Sequence, residues 1–217
     1  KVIEPKKGLQ LINLRELIRY KDLLYFLVWR SIKVQYSQTI LGFAWALIRP
    51  LMSMIIFSFI FGNLADVPSD GIPYSIFSYV AIVPWTYFST SMNASTTSIV
   101  GNSMLSKVYI PRLIFPLTPV ISNLVDFFIS FVMVGILMLW FQIVPTWKIF
   151  FLPLLLILMM LTASGVGMWL SALAIQYRDV KYMMSFATQL LMYAAPVVWP
   201  VSLIAERFPR LYIWYGL

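Results

Sequence analysis

Five apolar runs occupy positions 39–62, 73–97, 115–141, 148–175 and 183–201. Each approaches or exceeds the roughly 20 residues that an α-helix needs to cross the hydrocarbon core of a bilayer. A water-soluble fold of this length has no interior large enough to hide all five. In lipid, a chain satisfies its own N–H and C=O groups only as a helix or as a closed barrel. These runs are long and continuous, so they predict membrane-spanning helices. The fold class expected is an all-α integral membrane protein with five transmembrane helices. Composition points the same way: 61% of residues are hydrophobic and 11% charged, against about 25% charged in a soluble domain. Pro50, Pro84, Pro116, Pro119, Pro153, Pro196 and Pro200 lie in or at the ends of the runs. They predict kinks, because neighbouring helices can re-satisfy the carbonyls that proline frees. Lys148, at the start of a run, reads as an anchor that reaches back to the interface.

The segment before the first run has another character. Leu14, Leu17, Ile18, Leu24, Phe26 and Leu27 recur among Arg15, Glu16, Arg19, Lys21, Asp22, Arg30 and Lys33. This is the pattern of an amphipathic helix over 9–38, lying in a membrane interface or packed on a soluble partner. No cleavable signal peptide is expected from so mixed a start. Net charge is +8, and eight of the sixteen basic residues lie in the first 33 positions. Basic residues beside an apolar segment fit a cytoplasmic membrane face better than nucleic acid. The loops agree. Segment 63–72 holds Asp66 and Asp70 without a base, 98–114 holds Lys107 and Arg112, 142–147 is uncharged, and 176–182 holds Arg178, Asp179 and Lys181. Basic loops alternate with non-basic ones, which predicts a cytoplasmic N-terminus. The organisation expected is a cytoplasmic arm with its interfacial helix (1–38), a transmembrane domain (39–201) and a short apolar segment (202–217) that dips into the outer interface. A sixth span is expected beyond residue 217.

Chemistry-bearing residues are few. Cys and His are absent, which removes disulfides, thiolate catalysis, catalytic histidine and the usual zinc ligands. There is no P-loop, so nucleotide hydrolysis is not expected of this chain. Arg49 and Asp126 stand well inside the first and third runs, about ten residues or 15 Å from the cytoplasmic side. Intramembrane charges face a partner or a wet cavity, so the two are expected to pair or to share a polar network. The second run ends in Ser89, Thr90, Ser91, Asn93, Ser95, Thr96, Thr97 and Ser98. That run fits a polar path or hydrogen bonds between helices. Ala163, Gly167 and Ser171 form a small-residue stripe suited to close helix packing. The aromatics Trp45, Trp85, Tyr87, Tyr193 and Trp199 fit interfacial belts or a path on which sugar rings stack.

Certain strings are more specific. Trp29-Arg30-Ser31-Ile32-Lys33-Val34-Gln35-Tyr36-Ser37-Gln38-Thr39-Ile40-Leu41-Gly42 leads into Trp45 and Arg49-Pro50-Leu51. Pro84-Trp85 follows, then Asn102 and Leu105 with Lys107-Val108-Tyr109-Ile110-Pro111-Arg112. Tyr177-Arg178-Asp179-Val180 and Ala195-Pro196-Val197 complete the set. In this order and spacing the chain resembles the membrane subunit of ABC-2 type polysaccharide exporters, above all the O-antigen exporter permeases.

The resemblance implies a permease in the bacterial cytoplasmic membrane, a homodimer working with two cytoplasmic ATPase subunits that carry ATP and Mg2+. It implies six spans per permease and export of a polyisoprenyl-pyrophosphate-linked polysaccharide. Asn102, Leu105, Lys107, Tyr109 and Arg112 would form the element that couples to the ATPase. The segment after Val201 would form short helices at the outer mouth. Arg30 and Lys33, at headgroup level, are suited to the substrate pyrophosphate or to anionic lipid. Trp45, Trp85, Tyr87, Tyr193 and Trp199 would line the glycan path. An ABC-2 exporter of drugs or lipids, an integral membrane enzyme acting on lipid, and a membrane scaffold are the other readings. A shortage of intramembrane acid/base groups weighs against the enzyme.

Overall fold

A computed structural model describes residues 14–37, 41–69, 71–100 and 110–203. Among these residues all regular structure is helical. The arm forms α1 (Leu14–Arg19) and α2 (Lys21–Tyr36). The first apolar run becomes α3 (Ala44–Phe57), which widens into a π-helical turn over Ser58–Leu64. The second is α4 (Tyr74–Thr97). The third is split at Asn123 into α5 (Ile114–Ser122) and α6 (Leu124–Trp140). The fourth is α7 (Leu152–Gln176), entered through a 3-10 turn at Trp147–Phe151. The fifth is α8 (Asp179–Ala194).

Three of these stretches are long and apolar enough to cross a membrane: Ala44–Leu64, Ile114–Trp140 and Trp147–Gln176. At 1.5 Å per residue they measure about 31, 40 and 45 Å. The helices formed by the other two apolar runs differ from these three. With 24 residues α4 is long enough, yet ten of them are Ser, Thr or Asn. The 16 residues of α8 reach only about 24 Å. It starts earlier and stops sooner than its apolar run, because Ala195 is extended ahead of Pro196. The chain is nonetheless an all-α membrane protein. On α7 the small residues Ala163, Gly167, Ser171 and Ala174 are buried, while Leu154, Leu158, Leu161 and Trp169 face outward. That polarity suits lipid as the surrounding solvent.

The least apolar long helix is the central one. α4 packs against α3, α5, α6, α7 and α8, burying Tyr79, Ile82, Val83 and Tyr87. Its closest approach is to α7: a Cβ built on Gly167 would lie 2.5 Å from the Ser95 Cβ. The stripe of small residues thus lies in the α4–α7 contact.

Proline in the first span is compensated across the bundle. Pro50 has no N–H, so the carbonyl of Ala46, four residues earlier, loses its helical partner. The Ser130 hydroxyl on α6 donates to that carbonyl at 2.9 Å. In lipid no water would replace it. Ser130→Ala is expected to destabilise the protein by about 1–3 kcal/mol, the cost of a buried unsatisfied acceptor. In a Pro50→Ala background, where the N–H returns, the same change should cost much less. Thermal unfolding of the four proteins in detergent measures this coupling, and equal losses in both backgrounds would refute the assignment.

α2 runs alongside α5 in the same direction. Leu27 packs with Ile110, Ile114 and Phe115, and the Ser31 and Ser122 hydroxyls meet at 3.4 Å. The other side of α2 exposes Tyr25, Phe26, Trp29 and Val34. Gly42 then turns the chain into α3 at φ +47, a conformation that glycine adopts without strain.

Candidate functional site

A cavity of about 440 Å3 lies where α2, α3, α4 and α6 meet, with Arg49, Asp126, Asn123, Trp45 and Tyr87 in its wall. Asp126 stands in the first turn of α6. Its carboxylate accepts a hydrogen bond from Gln35 Nε2 at 2.7 Å and another from the Tyr36 hydroxyl. The Tyr36 ring stacks on Phe43 with centroids 4.0 Å apart. The last turn of α2 is thereby clasped to the start of α6.

Arg49 and Asp126 face the same cavity, but no ion pair joins them. The geometry explains why. α3 and α6 run in the same direction and are keyed at Ala46–Ser130. Asp126 lies four residues before that level and Arg49 three residues beyond it, so they are separated by about 10 Å along the bundle. Arg49 instead sits over the Trp45 ring, 6.0 Å from its centroid. Asp126 is level with the end of α2.

Two further cavities adjoin. A slot of about 570 Å3 between α2, α4 and α5 is lined by Arg30, Ser31, Ser98 and Thr118 with Leu27 and Phe115. A groove of about 830 Å3 between α4 and α8 is lined by Ser89, Thr90, Asn93, Thr97, Thr188 and Gln189. The hydroxyl run of α4 divides between two faces. Ser89, Thr90, Asn93, Thr96 and Thr97 contribute to the groove, whereas Ser91 and Ser95 are buried in packing. Many of these hydroxyls also donate to carbonyls three or four residues back, as Thr96 does to Met92. Asn93 Nδ2 donates to Thr188 Oγ1 at 3.2 Å, and Asn123 Nδ2 to Ser91 Oγ at 3.2 Å. Interhelical hydrogen bonds, one of the two uses foreseen for this run, are therefore present.

The five aromatics do not form one row. Trp45 and Tyr87 line the Arg49 cavity, where Tyr87 is buried, packed on Phe127, and donates to the Val120 carbonyl at 3.0 Å. Trp85 and Trp199 pack with Ile82, Val197 and Val198, and Trp85 also lines the groove between α4 and α8. Trp199 Nε1 donates to the Tyr193 carbonyl at 3.0 Å, and the Tyr193 side chain is exposed. Arg30 and Lys33 are exposed on α2, and Arg112 is exposed just ahead of α5. Asn102, Leu105, Lys107 and Tyr109 lie outside the described residues, as does the segment from 204 onward.

Residues 22–216 match the family of ABC-2 type transporters. The chain belongs to that family. It is 29% identical over 198 residues to the O-antigen export system permease protein RfbA of Myxococcus xanthus, covering 90% of this chain and 75% of that protein. To the O-antigen export system permease protein RfbA of Klebsiella pneumoniae it is 27% identical over 189 residues, 86% of this chain and 72% of that one. To the polysialic acid transport protein KpsM of Escherichia coli it is 21% identical over 202 residues, 87% and 74% respectively.

In this ABC-2 protein, sequence reasoning assigned no site role to Gln35, Tyr36, Asn123 or Ser130. A signal existed for the last two. Ser122, Asn123, Asp126 and Ser130 recur at helical spacing inside a long apolar run, and polar groups so placed want partners. Gln35 and Tyr36 carried no comparable mark.

Proposed function

We propose that this ABC-2 protein is the permease subunit of an ATP-driven exporter that moves a lipid-linked polysaccharide out of the cytoplasm. The observation that carries the reading is the groove along α4 and α8. It is rich in hydroxyls and amides within an otherwise apolar bundle, and such groups match the hydroxyls of sugars. The relatives named for O-antigen export and polysialic acid transport support the same substrate class. The chain has no P-loop, so a separate ATPase supplies the energy.

In this reading the protein sits in the bacterial inner membrane as a homodimer, with its N-terminus in the cytoplasm and each chain contributing five crossings from α3, α4, α5–α6, α7 and α8. α2 flanks α5 at the cytoplasmic end of the bundle, with Tyr25, Phe26, Trp29 and Val34 against lipid and Arg30 and Lys33 at headgroup level, where they meet the pyrophosphate. Segment 98–112 presses on the ATPase, and Arg112 offers a charge for that contact. Because α5 follows this segment and packs on α2, a push on it reaches the clasp at Asp126.

The test is complementation. In cells lacking their own permease, the full-length protein with its ATPase should carry polymer to the surface, and its deletion should leave lipid-linked polymer inside. Polymer reaching the surface equally well without the protein, or an ATPase insensitive to its presence, would refute the reading.

A further inference from the structure

The slot, the Arg49 cavity and the α4–α8 groove share one wall residue. Ala94 lines all three. Gln35 joins the slot to the cavity, and Thr86 and Thr90 join the cavity to the groove. We infer that the three spaces are one continuous substrate route and that Ala94 is the position that sets how bulky a passing group can be. The inference rests on the exporter reading above and adds to it a path and a size-determining residue.

The chemistry along this route has an order. The slot opens beside α2 with one guanidinium, three hydroxyls and apolar walls, which suits a phosphate borne on a lipid. The cavity places Arg49 and Asp126 on its wall. The groove offers hydroxyls, amides and Lys181. Among the described residues that line the three spaces, Asp126 is the one carboxylate, and Gln35 and Tyr36 already donate to it. The route therefore accepts an anionic phosphate first and a hydroxyl-rich, uncharged chain behind it. At the junction α4 presents a methyl group, half-buried. Thr90 and Thr97, four residues before and three after, continue that face of the helix. A larger side chain at 94 narrows the junction whose wall it shares with all three spaces.

Residues 1–217 hold no cysteine, so an introduced thiol is distinctive within them. Single-cysteine proteins Ala94→Cys and Gly165→Cys are assembled with the partner ATPase in inside-out vesicles. Gly165 faces open space on the outward side of α7 and serves as the lipid-facing control. A small charged thiol reagent should label A94C and stop export, while G165C stays unlabelled and active. In parallel, Ala94→Trp should assemble and retain ATPase activity but lose export, and Ala94→Ser should retain both. The inference is overturned when A94C resists labelling, or when labelled A94C or A94W exports as the unmodified protein does. A failure of A94W to assemble leaves the labelling of A94C to decide. Failure of the unsubstituted complex to export would instead strike the exporter reading itself.

Discussion

Gly167→Val is expected to prevent stable packing of the helix bundle. Ser95 is buried on α4 with its Cβ 2.5 Å from the site of a Cβ at 167, and its short side chain has no room to retreat. Even Gly167→Ala pushes α4 from α7. Overpacking of this kind costs about 1–3 kcal/mol, which outweighs the gain of up to about 1 kcal/mol from replacing a helical glycine. Valine adds two more carbons to the same contact, so its loss should be larger. Ser95→Gly should recover most of the stability of G167A, because it removes the atoms that clash. Thermal unfolding in detergent, followed by size-exclusion chromatography, reads these differences. A G167V protein that melts with the unsubstituted one would show that α4 and α7 do not touch here.

Asp126→Ala should release the C-terminal turn of α2. Two donors from one helix end, Gln35 and Tyr36, converge on this carboxylate. Hydrogen bonds to a charged group contribute about 1.5–3 kcal/mol each. Losing both should speed backbone hydrogen exchange over residues 30–37 and lower overall stability. Asp126→Asn keeps an acceptor and should do less harm, and the pair Gln35→Leu with Tyr36→Phe should reproduce the effect of D126A. Exchanging the two charges, Arg49→Asp with Asp126→Arg, is not expected to rescue either single change, since no ion pair joins them. Rescue by the swap would contradict the clasp as described.

The large features of this fold were legible because lipid imposes them. Long apolar runs had to be helices, and the stripe through Gly167 lies where a small-residue contact was expected. Levels along the bundle were not legible. Counting residues into a run gave Asp126 a depth but not its neighbours in the arm. The break at Asn123 and the turn at Gly42 reset both helices, so Asp126 meets the end of α2. Aromatic roles were equally hidden, because composition does not say which faces are covered. Tyr87 lines the Arg49 cavity yet is itself buried, its hydroxyl donating to the Val120 carbonyl. The hydroxyl run was the most informative site feature, yet only the packing of α8 and α7 on α4 decided which of its members face a groove.

The bond from Ser130 to the Ala46 carbonyl also bears on how this chain can vary. Proline at 50 and a hydroxyl at 130 are far apart in sequence but form one unit, since the first creates the need that the second meets. Relatives that keep the proline should keep Ser or Thr at the position matching 130, and those that have lost it are free to carry alanine there. Positions 50 and 130 should therefore drift together through descent, with the hydroxyl outlasting the proline and seldom preceding it in being lost.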